Sequence, residues 1–317
     1  GTLQTGQTVG YIVATLMAGA IIPDHGWRML FYVTIIPAAF ALIFMRFVPE
    51  PKSWQEAKIE QIKRRELGAE TLQTDQTTVS QAPSESIYKR IFGHTNHRKM
   101  FLLWMSTAAF LQFGYYGVNN WMPTYLETEL SMNFKAMTGY MVGAYTAMIL
   151  GKILAGYAAD KFGRRITFVF GTVATAAFLP IIIFYNTPSN IAYLLVTFGF
   201  LYGIPYGVNA TYMAESFSTD VRGTAIGGAY NMGRLGAAIA PATIGFIAAG
   251  GSFTMAFIVM GAAYFIAGVI PGFFIRERQF DPQQATLSSD AEKEKLAAMD
   301  VNATESDAKE AKPATAK

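Results

Sequence analysis

The chain has 317 residues, of which 52% are hydrophobic, 14% aromatic and only 15% charged, with a formal net charge of +3. That balance points to a membrane protein and is too weakly basic to imply nucleic acid as a partner. Cysteine does not occur, which excludes disulfides, a thiolate nucleophile and thiolate metal sites.

Eight apolar runs are predicted as membrane-spanning helices, at 2–23, 28–48, 100–126, 137–159, 166–185, 191–214, 223–248 and 252–275. Each is close to the roughly 20 helical residues that cross a bilayer, and each is bounded by Pro, Gly or charge. The first carries Gly1, Gly6, Gly10 and Gly19, small residues that favour close helix packing, and ends at Asp24, His25, Gly26, Trp27 and Arg28. The stretch 49–99 then reads as a soluble inter-domain loop. Within it, 54–67 has the composition of a surface helix, with Trp54, Ile59, Ile62 and Leu67 placed to rest on a membrane face. Residues 68–86 are rich in Gln, Thr and Ser and read as flexible, and 276–317 as a disordered tail.

The basic residues are one-sided. Nine Lys and Arg fall in 49–99, three in 160–165, one at Arg222 and two in 276–280, while Arg28 and Lys135 lie on the opposite side. Short basic loops are retained in the cytoplasm, so both ends of the chain and the long loop are expected there.

Between the fourth and fifth spans runs a polar hinge: Gly156, Tyr157, Ala158, Ala159, Asp160, Lys161, Phe162, Gly163, Arg164 and Arg165. Gly156 and Gly163 permit close passage and a sharp turn. Asp160 is spaced to pair with Arg164 or Arg165, or to cap a helix end. Glu215 closes the sixth span and Arg222 opens the seventh. That places both at the membrane face that holds Arg164 and Arg165.

Three spans have a polar face. The third has Gln112, Tyr115, Tyr116 and Asn119 at i, i+3, i+4 and i+7, with Asn120 adjacent. The sixth has Tyr202, Pro205, Tyr206 and Asn209 at the same spacing, and the seventh has Gly227, Tyr230, Asn231 and Arg234. Unsatisfied amides and phenols are costly in lipid, so these faces must turn inward. Each Tyr or Asn has two readings, interhelical hydrogen bonding or contact with a substrate. Arg234 lies 12 residues beyond Arg222, about 18 Å deeper along a helix. A cation there costs about 2.5–3.5 kcal/mol by insertion scales. Its partner is therefore a wet cavity, an acid from elsewhere in the protein, or an anionic substrate. Lys152 either faces the same cavity or snorkels to the interface.

The hinge, written G-x-x-x-D-K-x-G-R-R, resembles the signature loop of the major facilitator superfamily of transporters, as it recurs in their C-terminal half. On that resemblance the fold is all-α, a polytopic membrane helical bundle, with the eight spans as helices five to twelve. Residues 1–48 would be the last two helices of the N-terminal half and 100–275 the C-terminal six-helix half, the first four helices lying outside this chain. The resemblance also implies that Gly156, Asp160, Arg164, Arg165, Glu215 and Arg222 form a network that locks the outward-facing state. The competing reading is a set of independent interface charges. Segments 113–126, 200–215 and 231–241 resemble bacterial aromatic-acid/proton symporters, most closely those of the cis,cis-muconate permease type. This implies uptake of a small organic anion with protons across the bacterial inner membrane by alternating access. It also implies a monomer in contact with membrane lipid, with no cofactor or metal. The substrate would meet Gln112, Tyr115, Tyr116, Asn119, Asn120, Lys152, Tyr202, Tyr206, Asn209, Tyr230 and Arg234. No Asp or Glu lies mid-span, so a proton-carrying carboxylate is expected in the first four helices. A sugar-porter-like facilitator of a neutral substrate is the alternative, and Arg234 argues against it. A transporter-like sensor would keep the same helices. An enzyme is not expected, because neither Cys nor an intramembrane His is available as a nucleophile or base.

Overall fold

The computed structural model describes residues 2–47, 59, 91–93, 95–217 and 221–275. Apart from Ile59 and the ends of the long loop, the predicted surface helix 54–67, the flexible stretch 68–86 and the tail 276–317 lie outside the described residues.

Eight helices occur among the described residues: α1 Thr2–Val33, α2 Ile35–Met45, α3 Thr95–Thr128, α4 Phe134–Phe162, α5 Arg164–Tyr185, α6 Ile191–Glu215, α7 Arg222–Ala249 and α8 Phe253–Phe274. Their order follows the eight predicted spans, and no strand occurs among the described residues. Six stretches are long and apolar enough to cross a membrane, with Thr5–Met45 counted as one. Helix α3 is not among them, its apolar stretch being interrupted by Gln112, Tyr115 and Tyr116. The break between the first two spans is narrower than the sequence suggests. Helix α1 runs on through Asp24 and His25, and is interrupted only at Gly26, with φ 73° and ψ 168°.

Two helix starts are fixed by side-chain caps. Asn133 Oδ1 accepts from the Ala136 amide of α4 at 2.8 Å, and Ser252 Oγ from the Met255 amide of α8 at 3.1 Å. The hinge after α4 is also narrower than expected. Helix α4 continues through Asp160 and Lys161, and Gly163 alone separates it from α5. Gly163 has φ 98° and ψ 153°, a region open in practice only to glycine. Gly156 is an ordinary helical residue of α4.

Helices α3–α8 pack around the largest interfaces, α4 on α6 and α3 on α7. Helix α8 lies against α5 and α3, and α5 also lies against α6. Exchanging α3 with α6, α4 with α7 and α5 with α8 carries this pattern onto itself, which is the packing of two related three-helix units. Close approach explains the two largest interfaces. A Cβ added at Gly199, Gly203 or Gly207 of α6 would sit 2.1, 2.3 or 2.5 Å from the carbonyl oxygens of Ala144, Met148 or Lys152 of α4. The counterpart on α7 is Gly236, where a Cβ would fall 1.9 Å from the Ala109 carbonyl oxygen of α3. Backbones pressed together this closely replace the apolar driving force that lipid removes.

Helix α1 packs chiefly on α4. Of its predicted packing glycines, Gly19 meets Thr138, whereas Gly6 and Gly10 have open space around them. Helix α2 has no buried residue.

Candidate functional site

The polar faces of α3, α4, α6 and α7 converge with α1 on one cavity of about 210 Å³. Gln112, Tyr115 and Tyr116 reach it from α3, Lys152 from α4, Tyr206 from α6, and Tyr230 and Arg234 from α7. Gln7 of α1 completes the lining.

Lys152 is 1% exposed, so it does not snorkel to an interface. Its ammonium donates to Thr8 Oγ1 of α1 at 2.7 Å, and Thr8 is itself fully buried. The Arg234 guanidinium sits 5.8 Å from the centroid of the Tyr230 ring, a cation–π contact. No carboxylate among the described residues forms a salt bridge with Arg234. Among the described residues, the cavity lining carries two cations and no acidic residue.

Behind the lining lies a tyrosine cluster. Tyr115 stacks on Tyr202 at 5.5 Å with planes 4° apart and meets Tyr206 edge-on at 4.9 Å. The Tyr206 hydroxyl donates to the Leu111 carbonyl and shares a 2.7 Å hydrogen bond with the Tyr264 hydroxyl of α8. Tyr11 of α1 stacks on Tyr145 of α4 at 5.6 Å.

Four predicted site residues do not line the cavity. Asn119 is a structural bracket: its amide donates to the Tyr202 hydroxyl at 2.6 Å, and its carbonyl oxygen accepts from Tyr145 at 3.0 Å. It therefore ties α3 to α6 and α4. Tyr202 is occupied in that bracket and donates to the Tyr115 carbonyl. Asn120 is exposed and donates to the Tyr116 carbonyl of its own helix. Asn209 is buried away from the cavity. Sequence reasoning missed Gln7, Thr8, Tyr11, Tyr145 and Tyr264. A signal existed for the first three, since Gln4, Gln7, Thr8 and Tyr11 have the same i, i+3, i+4, i+7 spacing as the stripe on α3.

The predicted charge network is partly assembled. Arg164 Nε lies 3.5 Å from Glu215 Oε1, and the same guanidinium pairs with Asp160 one turn earlier. Arg165 instead donates to the Gly272 carbonyl of α8. Arg222 Nε donates to the Phe217 carbonyl at 3.3 Å rather than to Glu215.

The model of the Sugar (and other) transporter family matches residues 2–281. The chain belongs to this family of transporters. Within it, the cis,cis-muconate transport protein of Acinetobacter baylyi is 66% identical over 285 residues, covering 90% of this chain and 65% of that protein. The benzoate transport protein of the same organism is 24% identical over 253 residues, 77% of this chain and 54% of the relative. In three dimensions the chain is similar to a D-xylose-proton symporter with a TM-score of 0.57 at 19% identity, over 86% of this chain and 61% of that one. That likeness concerns the fold, and the chain covers part of the major facilitator fold as expected. It spans less than two thirds of the length of these relatives.

Proposed function

We propose that this chain is the substrate-selecting part of a secondary active transporter for a small organic acid, an aromatic acid or a dicarboxylate such as muconate. The observation that carries this reading is the 210 Å³ cavity lined by Lys152 and Arg234, with no acidic residue in the lining among the described residues. Cations within membrane-spanning helices are costly and are tolerated where a pathway needs them. A lining with two cations suits an anionic substrate, and the planar fork of Arg234 suits a carboxylate. The 66% identity to a protein named for muconate transport supports the same class of cargo.

In this reading residues 100–275 are one six-helix half, and residues 1–48 are the last two helices of the other half. The halves rock about the cavity, which opens alternately to each side of a bacterial inner membrane, and both ends of the chain face the cytoplasm. Uptake is coupled to protons, and the proton-carrying carboxylate lies outside the cavity lining described above. The transporter works as a monomer, and no chemical step on the substrate is part of the proposal.

The test is binding to the purified protein and uptake into proteoliposomes, with benzoate, cis,cis-muconate and D-xylose as probes. Organic acids should bind and accumulate, and collapse of an imposed pH gradient should abolish accumulation. Binding of D-xylose with indifference to both acids would overturn the reading in favour of a neutral substrate.

A further inference from the structure

Three buried side-chain atoms among the described residues have no hydrogen-bond partner: Trp104 Nε1 and Thr107 Oγ1 of α3, and Glu215 Oε2 of α6. Two of them are complementary. An indole N–H can only donate, and a carboxylate oxygen can only accept. Trp104 is 0% exposed. A buried tryptophan usually finds an acceptor for its N–H, and a buried polar atom left unpaired is costly. Arg164 takes the other oxygen of Glu215, Oε1, at 3.5 Å.

The two side chains share a neighbour, the Tyr212 ring. The Trp104 indole meets it edge-on, with centroids 5.0 Å apart. Glu215 follows Tyr212 by three residues, on the same face of α6. Helices α3 and α6 run in opposite directions, since Asn119 meets Tyr202, Leu111 meets Tyr206 and Trp104 meets Tyr212. Side chains on a helix lean toward its N-terminus. Glu215 therefore leans from the end of α6 back toward Tyr212, and Trp104 leans toward the start of α3, where α6 ends. Each leans toward the other. Helix α6 also contains Pro205, ten residues before Glu215. Proline inside a helix removes a backbone hydrogen bond and permits a bend, so the end of α6 can move relative to α3.

We propose that Trp104 is a positioning residue of the charged gate. Its indole N–H takes the Glu215 carboxylate when Arg164 and Glu215 separate, so that one carboxylate is held by a different partner in each state. This rests on the alternating access proposed above. Glu215 then never remains buried without a donor, and Trp104 stabilises the open state as Arg164 stabilises the closed one.

The experiment labels single cysteines introduced at the Gly163 end of the full-length transporter, for the parent, Trp104→Phe, Glu215→Ala and the double variant. Phenylalanine keeps an aromatic ring and removes the N–H. The fraction open should fall at least twofold in Trp104→Phe. In the Glu215→Ala background the same change should leave labelling as it is, because the acceptor is gone. A packing role for Trp104 would act alike in both backgrounds, so an equal change in the two, or no fall in the presence of Glu215, overturns the proposal. If Trp104→Phe does not fold, the indole N–H resonance of Trp104 decides. Glu215→Ala should move it upfield, the sign of a lost hydrogen bond, and an unmoved resonance overturns the proposal. The parent separates this from the broader reading. If its labelling shows one state with and without an organic acid, alternating access fails. If it shows two states and Trp104→Phe leaves their ratio unchanged, only the role of Trp104 fails.

Discussion

Arg164 Nε lies 3.5 Å from Glu215 Oε1, tying the first residue of α5 to the last residue of α6. The two side chains are 17% and 13% exposed, and Asp160 also pairs with the same guanidinium. The contact sits at the end of the bundle where Gly163 reverses the chain. Separation of helices at that end would stretch it, so under the proposed alternating access its energy would bias one state over the other.

Glu215→Gln keeps an acceptor but removes the charge. A partly exposed pair of this length contributes about 0.2–1 kcal/mol, which limits the change in the ratio of states to roughly fivefold. The fraction open at the Gly163 end should rise within that limit, read from the labelling of single cysteines introduced there. Arg222→Ala should leave labelling unchanged, because Arg222 turns to the Phe217 carbonyl. Unchanged labelling in Glu215→Gln would remove the pair from the gate.

The α4–α6 crossing gives a steric prediction. A Cβ at Gly203 would lie 2.3 Å from the Met148 carbonyl oxygen and 3.2 Å from the Lys152 amide nitrogen, both backbone atoms that cannot rotate aside. Gly203→Ala should therefore destabilise the protein by about 1–3 kcal/mol, the usual range for overpacking. Gly139, also on α4, has nothing within 4 Å. Gly139→Ala should be neutral or stabilising by up to about 1 kcal/mol from helix propensity. Thermal midpoints of the purified variants test both signs, and equal midpoints would mean the two backbones are not pressed together at Gly203.

Helix positions were legible because hydropathy and punctuation agree: Asn133 and Ser252 mark starts that their side chains do cap. The hinge was legible as a place but not as a length. Asp160 and Lys161 are compatible with helix, and polarity alone cannot say where hydrogen bonding stops. Gln112, Tyr115, Tyr116, Tyr206, Tyr230 and Arg234 of the polar faces line the cavity, yet spacing alone did not separate cavity from bracket. Asn119 follows Gln112, Tyr115 and Tyr116 in the same stripe, and it turns to Tyr202 and Tyr145 because α6 and α4 close over that end of α3. The stripe that holds Thr8 was visible in the sequence, but what Thr8 meets was not. Its partner Lys152 is 144 residues away, and no local pattern encodes that meeting.

Gly163 is the one residue between α4 and α5, at φ 98° and ψ 153°. An L side chain there is strained by about 1–3 kcal/mol. Gly163→Ala should lower stability by that amount, and should also loosen the Arg164–Glu215 pair, since Arg164 follows directly. The thermal midpoint and the cysteine labelling used for Glu215 should change together. A variant with the parental midpoint would show that the turn adapts without strain.

Arg234 carries the heaviest consequence. Its guanidinium lines the cavity over the Tyr230 ring, 5.8 Å from the centroid. Hydrogen bonds to charged groups contribute about 1.5–3 kcal/mol, so Arg234→Ala should weaken organic-acid binding by about tenfold or more. Arg234→Lys should restore only part of it, because a point charge replaces a planar fork. Tyr230→Phe should change little, since the ring beneath the cation is kept. Equilibrium binding to purified protein distinguishes lost affinity from failed folding. If Arg234→Ala folds and binds organic acids as tightly as the parent, the carboxylate is held elsewhere, and the cation on α7 serves the approach of the substrate or the contact with the other half.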